Sequence, residues 1–184
     1  MARKKIAKQS ISQNRKAAKA RPHKAKVGKA KTRKVKPIPT GYHSITPYLI
    51  VNGAAAALAF YKKAFGAKEK LRLPAPGGRI GHAEIQIGTS RVMLADENPA
   101  MGAHAPNSVT PPPVGIMLYI KDVDTVFERA VAAGARVERP LQNQFYGDRM
   151  GGLMDPFGHR WYLGTHIEDV PLKELQRRVQ EVMK

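Results

Sequence analysis

The chain has 184 residues, 42 % of them hydrophobic, with no cysteine and with 32 Lys and Arg against 14 Asp and Glu. That length and apolar content fit one or two small domains with a real core, and the missing cysteines exclude disulfides, thiolate metal sites and cysteine nucleophiles. No apolar run approaches the roughly 18–20 residues that span a bilayer and no secretory apolar segment follows the basic start, so no membrane partner is expected and the cytoplasm is the default location.

The net charge of +18 is unevenly placed. Residues 1–37 hold 15 basic residues and no acid, which leaves 17 basic residues against all 14 acids, a net of +3, for the rest. This stretch has no aromatic residue, and its large aliphatics Ile6, Ile11, Val27 and Val35 are too scattered to form a helical stripe. It is expected to be a disordered arm, because it buries too little to offset the entropy of ordering. Such an arm binds nucleic acid or another polyanion through counterion release, with little sequence preference. The plainer alternative is a solvated tail that aids solubility.

From about residue 38 the pattern becomes that of a folded body extending to 184. "SITPYLIV" reads as a strand, Asn52-Gly53 as a turn, and "AAAALAFYKKAF" as a helix stopped by Gly66, with Ala54, Leu58, Tyr61 and Phe65 on one face. "KEKLRLPA", "IGHAEIQIG" and "SRVMLADE" follow as three extended segments separated by glycine turns. A 16-residue linker, 98–113, carries five prolines and is an extended surface connection suited to covering a pocket. The same order then returns. "VGIMLYIKD" is a strand, Asp122 or Asp124 caps "VDTVFERAVAAG", Gly134 ends that helix, and "ARVERPLQ", "DRMGGLMD" and "HRWYLGTH" are three more strands. "DPFG" at 155–158 is a β-turn with proline second and glycine fourth. A last amphipathic helix, 170–184, aligns Leu172, Leu175, Val179 and Met183. The fold expected is therefore α+β: two tandem β-α-β-β-β modules, at about 45–97 and 114–167, whose curled mixed sheets surround a cleft.

The paired modules, the "AFYKKAFGA" helix, "GHAEIQIG" and above all "YGDRMGGLMDPFGHRWYLGTHIEDV" resemble the vicinal oxygen chelate superfamily, which includes glyoxalase I, bleomycin-resistance proteins and extradiol dioxygenases. Within it the chain is most similar to the PhnB-like group. The resemblance covers about residues 40–184 and implies a cleft completed in a homodimer. It also implies, for metal-using members, one His or Glu ligand on the first and last strand of each module. Carried onto this chain, those positions are Thr46, Met93, Gly115 and Tyr162. None is a competent ligand of that kind, and their neighbours Ile45, Pro47, Val92, Leu94, Val114, Ile116, Trp161 and Leu163 offer no better in a shifted register. The inherited metal site is expected to be absent and no cofactor is expected. His82 and Glu84, two apart on one strand, are the fallback metal candidates, with His43, His159 or His166 to complete a set.

Strand alternation gives the cleft lining. Thr46, Tyr48 and Ile50 share a face, as do Arg91, Met93 and Ala95, then Gly115, Met117 and Tyr119, then Arg160, Tyr162 and Gly164. Thr46, Tyr48, Arg91, Met93, Gly115, Met117, Tyr119, Arg160 and Tyr162 are thus candidate ligand contacts, with aromatic walls, adaptable methionines and two cations suited to a planar or amphipathic small molecule that carries an anionic or carbonyl group. The alternative places Arg91 and Arg160 in surface pairs with Asp96 or Asp148. The functional reading is a metal-free small-molecule-binding protein with a polyanion-binding arm. One competing reading is a lyase, isomerase or dioxygenase-type enzyme with an atypical metal or with Tyr48 or Tyr162 and Glu84 in acid/base roles. The other is a dimeric nucleic-acid-associated protein.

Overall fold

The computed structural model describes residues 36–106 and 112–182, so the basic arm up to residue 35, residues 107–111 and the final two residues, Met183 and Lys184, lie outside the described residues. The first module runs β1 (Tyr48–Val51), α1 (Ala54–Phe65), β2 (Lys68–Pro74), β3 (Ile80–Ile87) and β4 (Ser90–Asp96). The second runs β5 (Gly115–Tyr119), α2 (Val123–Ala132), β6 (Arg136–Asn143), β7 (Asp148–Met154) and β8 (Arg160–His166), and α3 (Leu172–Val182) closes the chain. Each module is a four-stranded mixed sheet, ordered β1-β4-β3-β2 and β5-β8-β7-β6. β1 and β5 lie parallel to β4 and β8, and the other pairs are antiparallel. The two sheets repeat one topology within an α+β fold.

Both helices pack on the same kind of sheet face. Val51, Ala83, Ile85, Val92 and Leu94 from the first sheet and Leu153, Trp161 and Leu163 from the second are buried against them. Alternation then leaves Tyr48, His82, Glu84 and Met93, and in the second module Met117, Tyr119 and Tyr162, on the opposite, open faces. α1 ends where the left-handed Gly66 (φ 66°) lets its amide reach Lys62 O and the next amide reach Tyr61 O. Its start has no capping side chain of its own. Asp96, at the end of β4, supplies one: Oδ1 accepts from the Gly53 and Ala54 amides at 3.0 and 2.7 Å, and Oδ2 from the Ile80 amide at 2.7 Å. At α2 it is Asp122, of the two candidates, that accepts from the Thr125 amide.

The modules are tied through a buried carboxylate. Asp155, 4 % exposed, accepts from the Tyr61 hydroxyl at 2.7 Å, Trp161 Nε1 at 3.0 Å, and the Phe157 and His159 amides at 2.9 Å. Burial first, and then the Asp155 charge and hydrogen bond, push the Tyr61 phenol well above its ordinary range. Around this hub Trp161 packs against Tyr61 and Phe65, while Arg129 Nε donates to Ala64 O and His159 Nε2 to Ile50 O. "DPFGH" therefore works mainly as structure: the Asp155 carbonyl accepts from the Gly158 amide and its side chain anchors one module to the other. α3 begins at Leu172, two residues after the start read from the sequence. Arg178 holds it to Phe145 O and Glu168, with Leu175 and Val179 half-buried and Leu172 and Val182 exposed.

Candidate functional site

The second module's open face is shaped by glycine. A Cβ on Gly115 would sit 2.6 Å from Tyr162 Cε2, and one on Gly164 would sit 2.6 Å from Met117 Cε, so Tyr162 and Met117 lie directly on bare backbone. The parallel register sets Met117 opposite Tyr162 and Gly115 opposite Arg160. Arg139 lies over the Tyr162 ring, 5.7 Å from its centroid. The alternative pairing of Arg160 with Asp148 is not what the structure shows. Arg160 Nε donates to Glu138 at 2.7 Å, Arg136 joins the same carboxylate, and the hydrogen bond from Arg160 holds Glu138 below the ordinary carboxylate range. A bulge in β6 between Val137 and Arg139 brings Glu138 to Arg160, and strict alternation conceals it.

Asp148 instead serves two other groups. It accepts from the Tyr119 hydroxyl at 2.7 Å and pairs with His166 Nδ1 at 2.8 Å, while His166 Nε2 lies 3.0 Å from Asp169. Hydrogen bonds to Asp148 and then Asp169 raise the His166 pKa, and the bond to Asp148 raises that of Tyr119.

The first module's open face holds a polar cluster. Tyr48 Oη is 3.1 Å from His82 Nδ1, His82 Nε2 is 3.4 Å from Glu84 Oε1, and Arg91 Nη1 is 3.6 Å from Glu84 Oε2. Arg91 thus faces Glu84 and not Asp96, whose oxygens are taken by α1 and β3. Its Nε and Nη1 have no hydrogen-bond partner among the described residues, and its guanidinium lies 5.5 Å from the Tyr42 ring centroid. A hydrogen bond from Tyr42, then those from His82 and the nearby positive charges, hold Glu84 below the usual carboxylate range against the effect of burial. Met93 lies between Tyr48 and Glu84 in the strand register.

Thr46 departs from its expected place. β1 begins only at Tyr48, so Thr46 belongs to the irregular segment before it. Of the four positions matching the metal-ligand pattern, Thr46 is off the strand, Gly115 lies under the Tyr162 ring, and Met93 and Tyr162 offer a thioether and a phenol. Such a donor set does not fit a chelated hard or borderline cation. Among the described residues no group of three His, Asp or Glu is placed to hold a metal ion. His82 and Glu84 are adjacent, but His43 is bonded to Thr89 O, His159 to Ile50 O and His166 to Asp148, away from them.

A mostly apolar cleft of about 580 Å³ opens where β1 and β5 begin, lined by Ile45, Pro47, Tyr48, Val114, Gly115 and His159 together with linker prolines. A second cavity of about 250 Å³ is lined by Tyr48 together with Ile50, Arg79 and Ile80. Tyr48 is common to both. Tyr42, Glu138 and Arg139 were not singled out by sequence patterns, and Asp155 only as the first residue of a turn. Their roles depend on partners far along the chain, and only the open-face alternation of β6 could have drawn attention to Arg139.

The duplicated mixed sheets, with helices on one face and an open face on the other, agree with the comparison with known proteins. The sequence model of the Glyoxalase/Bleomycin resistance protein/Dioxygenase superfamily matches residues 41–163. The chain belongs to this superfamily. The uncharacterized protein Rv0887c of Mycobacterium tuberculosis is 43 % identical over 136 residues, covering 72 % of this chain and 80 % of that protein. Among solved structures, TioX from Micromonospora sp. ML1 is 29 % identical at a TM-score of 0.53, covering 67 % of this chain and 98 % of that one. The PhnB protein from Bacillus cereus, described as a putative 3-demethylubiquinone-9 3-methyltransferase, shares the superfamily fold at 21 % identity and a TM-score of 0.54, covering 67 % and 99 %. Membership accounts for the paired sheets.

Proposed function

We propose that the body, residues 38–184, binds a small amphipathic organic anion on the open sheet faces, without a chelated metal and in a homodimer whose second copy helps to enclose the cleft. The observation that carries this reading is the platform of the second module. Tyr162 sits against Gly115, Arg139 lies over the ring, and Met117 rests on Gly164 beside it, which joins an aromatic surface, a cation and adaptable apolar groups. Tyr48 and Met117, 52 % and 37 % exposed, and Tyr119, 60 % exposed, give the two sheets an apolar surface open to a ligand or to a second copy. Thr46, Tyr48, Arg91, Met93, Gly115, Met117, Tyr119, Arg160 and Tyr162 remain the proposed contacts. Arg139 joins them, while Arg160 acts through its pair with Glu138. Among the described residues no helix is long and apolar enough to cross a membrane, and we place this activity in the cytoplasm.

The test uses 8-anilinonaphthalene-1-sulfonate as an amphipathic anionic probe with the full chain. Saturable binding that weakens about tenfold, roughly 1.4 kcal/mol, in Tyr162→Ala and in Arg139→Gln supports the reading; binding indifferent to both changes refutes it. Elemental analysis after purification without chelator, and again after exposure to Zn, Ni, Mn and Fe, is expected to find well below one metal per chain. Near-stoichiometric metal lost in His82→Ala would overturn the metal-independent reading. Sedimentation equilibrium showing only monomer at high concentration would remove the dimer.

The arm is a second, separate element of the proposal. Its 15 basic residues and absence of acid support polyanion binding, whose affinity for duplex DNA falls about 10³-fold or more between 50 and 200 mM salt if six or more phosphates are contacted. Equal binding by a chain lacking residues 1–37 would exclude that role.

A further inference from the structure

Ligand binding alone leaves the polar cluster of the first module unexplained. His82 Nδ1 lies 3.1 Å from the Tyr48 hydroxyl and His82 Nε2 lies 3.4 Å from Glu84 Oε1. A carboxylate only accepts hydrogen bonds, so Glu84 favours the neutral His82 tautomer with its proton on Nε2 and leaves the Nδ1 lone pair to the Tyr48 O–H. The two rings meet edge to face, 5.5 Å between centroids at 84°. Exposure is graded along the same chain of groups. Tyr48 is 52 % exposed, whereas the side chains of His82 and Glu84 are only 22 % and 14 % exposed. The phenol meets the open face, its base stands behind it, and the carboxylate that orients the base is deepest. That is the arrangement of an activated hydroxyl, in which the third group fixes the geometry of the second.

Tyr48 also lines the 250 Å³ cavity that contains Arg79. The two carboxylates in its wall are occupied: Asp96 accepts from the Gly53, Ala54 and Ile80 amides, and Glu97 from the Ala105 amide. Arg79 reaches only main-chain carbonyls, those of Pro76 and Glu97, so among the described residues its charge has no carboxylate partner. The remaining wall is largely apolar, with Ile50, Ile80, Ala95 and Met101.

We propose that Tyr48, His82 and Glu84 form a proton relay that makes this cavity an acid–base site for a small organic anion held by Arg79. In the forward step a substrate C–H bond beside a carbonyl breaks. Its proton goes to the Tyr48 oxygen while the phenol's own proton passes to His82 Nδ1, and the bond's electron pair stays on the substrate as an enolate. Return of a proton to another atom or face of the substrate completes an isomerisation and restores both side chains, with no oxidant, reductant or co-substrate consumed. Glu84 is a positioning residue in this scheme, since it acts through His82. The proposal goes beyond the binding reading and does not involve the Tyr162 platform.

The experiment labels the full chain with 3-(fluorosulfonyl)benzoate in the presence of EDTA and maps the product by peptide mass spectrometry. The Tyr48 oxygen attacks sulfur, the S–F bond breaks, fluoride leaves and the phenol proton goes to His82. Labelling of Tyr48 is expected to slow at least about 10-fold in His82→Gln and at least about 3-fold in Glu84→Gln, where an amide can also donate and no longer fixes the tautomer. Tyr119, whose hydroxyl is bonded to Asp148 in the other module, is expected to keep its rate in every variant and so reports that each is folded. Neutral benzenesulfonyl fluoride is expected to label Tyr48 about 5-fold more slowly than the benzoate, a preference that Arg79→Gln abolishes. Tyr48 labelling indifferent to His82→Gln, with Tyr119 unchanged, overturns the relay. Equal rates for the two probes in the unaltered chain overturn the assignment of Arg79 as the anion anchor. Neither result bears on probe binding at Tyr162, so this proposal and the binding reading fail separately.

Discussion

Replacing Asp155 by alanine should be among the most damaging single changes in the body, and Tyr61→Phe should partly repair it. Asp155 accepts four hydrogen bonds, two of them from the buried Tyr61 hydroxyl and Trp161 Nε1 and two from the Phe157 and His159 amides. An unsatisfied buried donor costs about 1–3 kcal/mol, so orphaning the two buried side chains alone amounts to roughly 4 kcal/mol in Asp155→Ala. In the unaltered protein Tyr61→Phe removes one charge-assisted bond and leaves three, at a cost of about 1.5 kcal/mol. In the Asp155→Ala background the same change removes a stranded hydroxyl, so it should stabilise by about 1 kcal/mol. The two changes are then coupled by about 2.5 kcal/mol, well outside the scatter of additive pairs. Denaturant unfolding of the four proteins measures this directly from the midpoints, with the slope checked for constancy. A cost for Tyr61→Phe that is the same in both backgrounds would refute the account of Asp155 as the shared acceptor between the modules.

Gly115→Ala would place a methyl 2.6 Å from Tyr162 Cε2; because Tyr162 is only half-buried the ring should swing away at little cost in stability, while affinity for the anilinonaphthalene probe falls about tenfold. Unchanged probe affinity would show that the platform is not the contact surface. Asp96→Ala removes the acceptor of three amides, two of them at the start of α1, and is expected to cost about 2 kcal/mol in denaturant unfolding. For His166 the folded-state pKa is raised by Asp148 and Asp169, so its contribution is full below the ordinary histidine value of 6.5 and is lost as pH rises through the raised value. Proton NMR of the His166 ring is expected to show titration above 6.5, moving down in Asp148→Asn; a midpoint unmoved by that change would contradict the assignment.

Much of the fold is written in local pattern. Alternation in "IGHAEIQIG" separates buried Ala83, Ile85 and Ile87 from open-face His82, Glu84 and Gln86, because successive strand side chains must point to opposite faces. The return of the same order of elements, each helix followed by a glycine at 66 or 134, indicates the duplication before any contact is known. The open-face positions of Tyr48, Met93, Met117 and Tyr162 follow from the same two-residue period. Thr46 did not, because period alone does not mark where a strand begins, and pairing starts only at Tyr48 opposite Met93.

Partnership between side chains is a different matter, because it depends on register and on elements distant along the chain. The sequence shows that Arg91 and Arg160 are cations on open faces, but which carboxylate each meets depends on strand register and, for Glu138, on a bulge. Asp155 is legible as the first residue of a turn, yet its role as acceptor for Tyr61, 94 residues earlier, depends on the packing of α1 against the second module. The contact between Tyr48 and His82 arises in the same way, from strands separated by α1 and β2 in sequence and placed on either side of β4 by the sheet order. Periodicity and turn chemistry are satisfied within a few residues, so the sequence alone determines the elements and the faces they present. Hydrogen-bond and charge partners form only once the sheets have paired and the helices have packed, so the tertiary structure alone decided which polar groups meet.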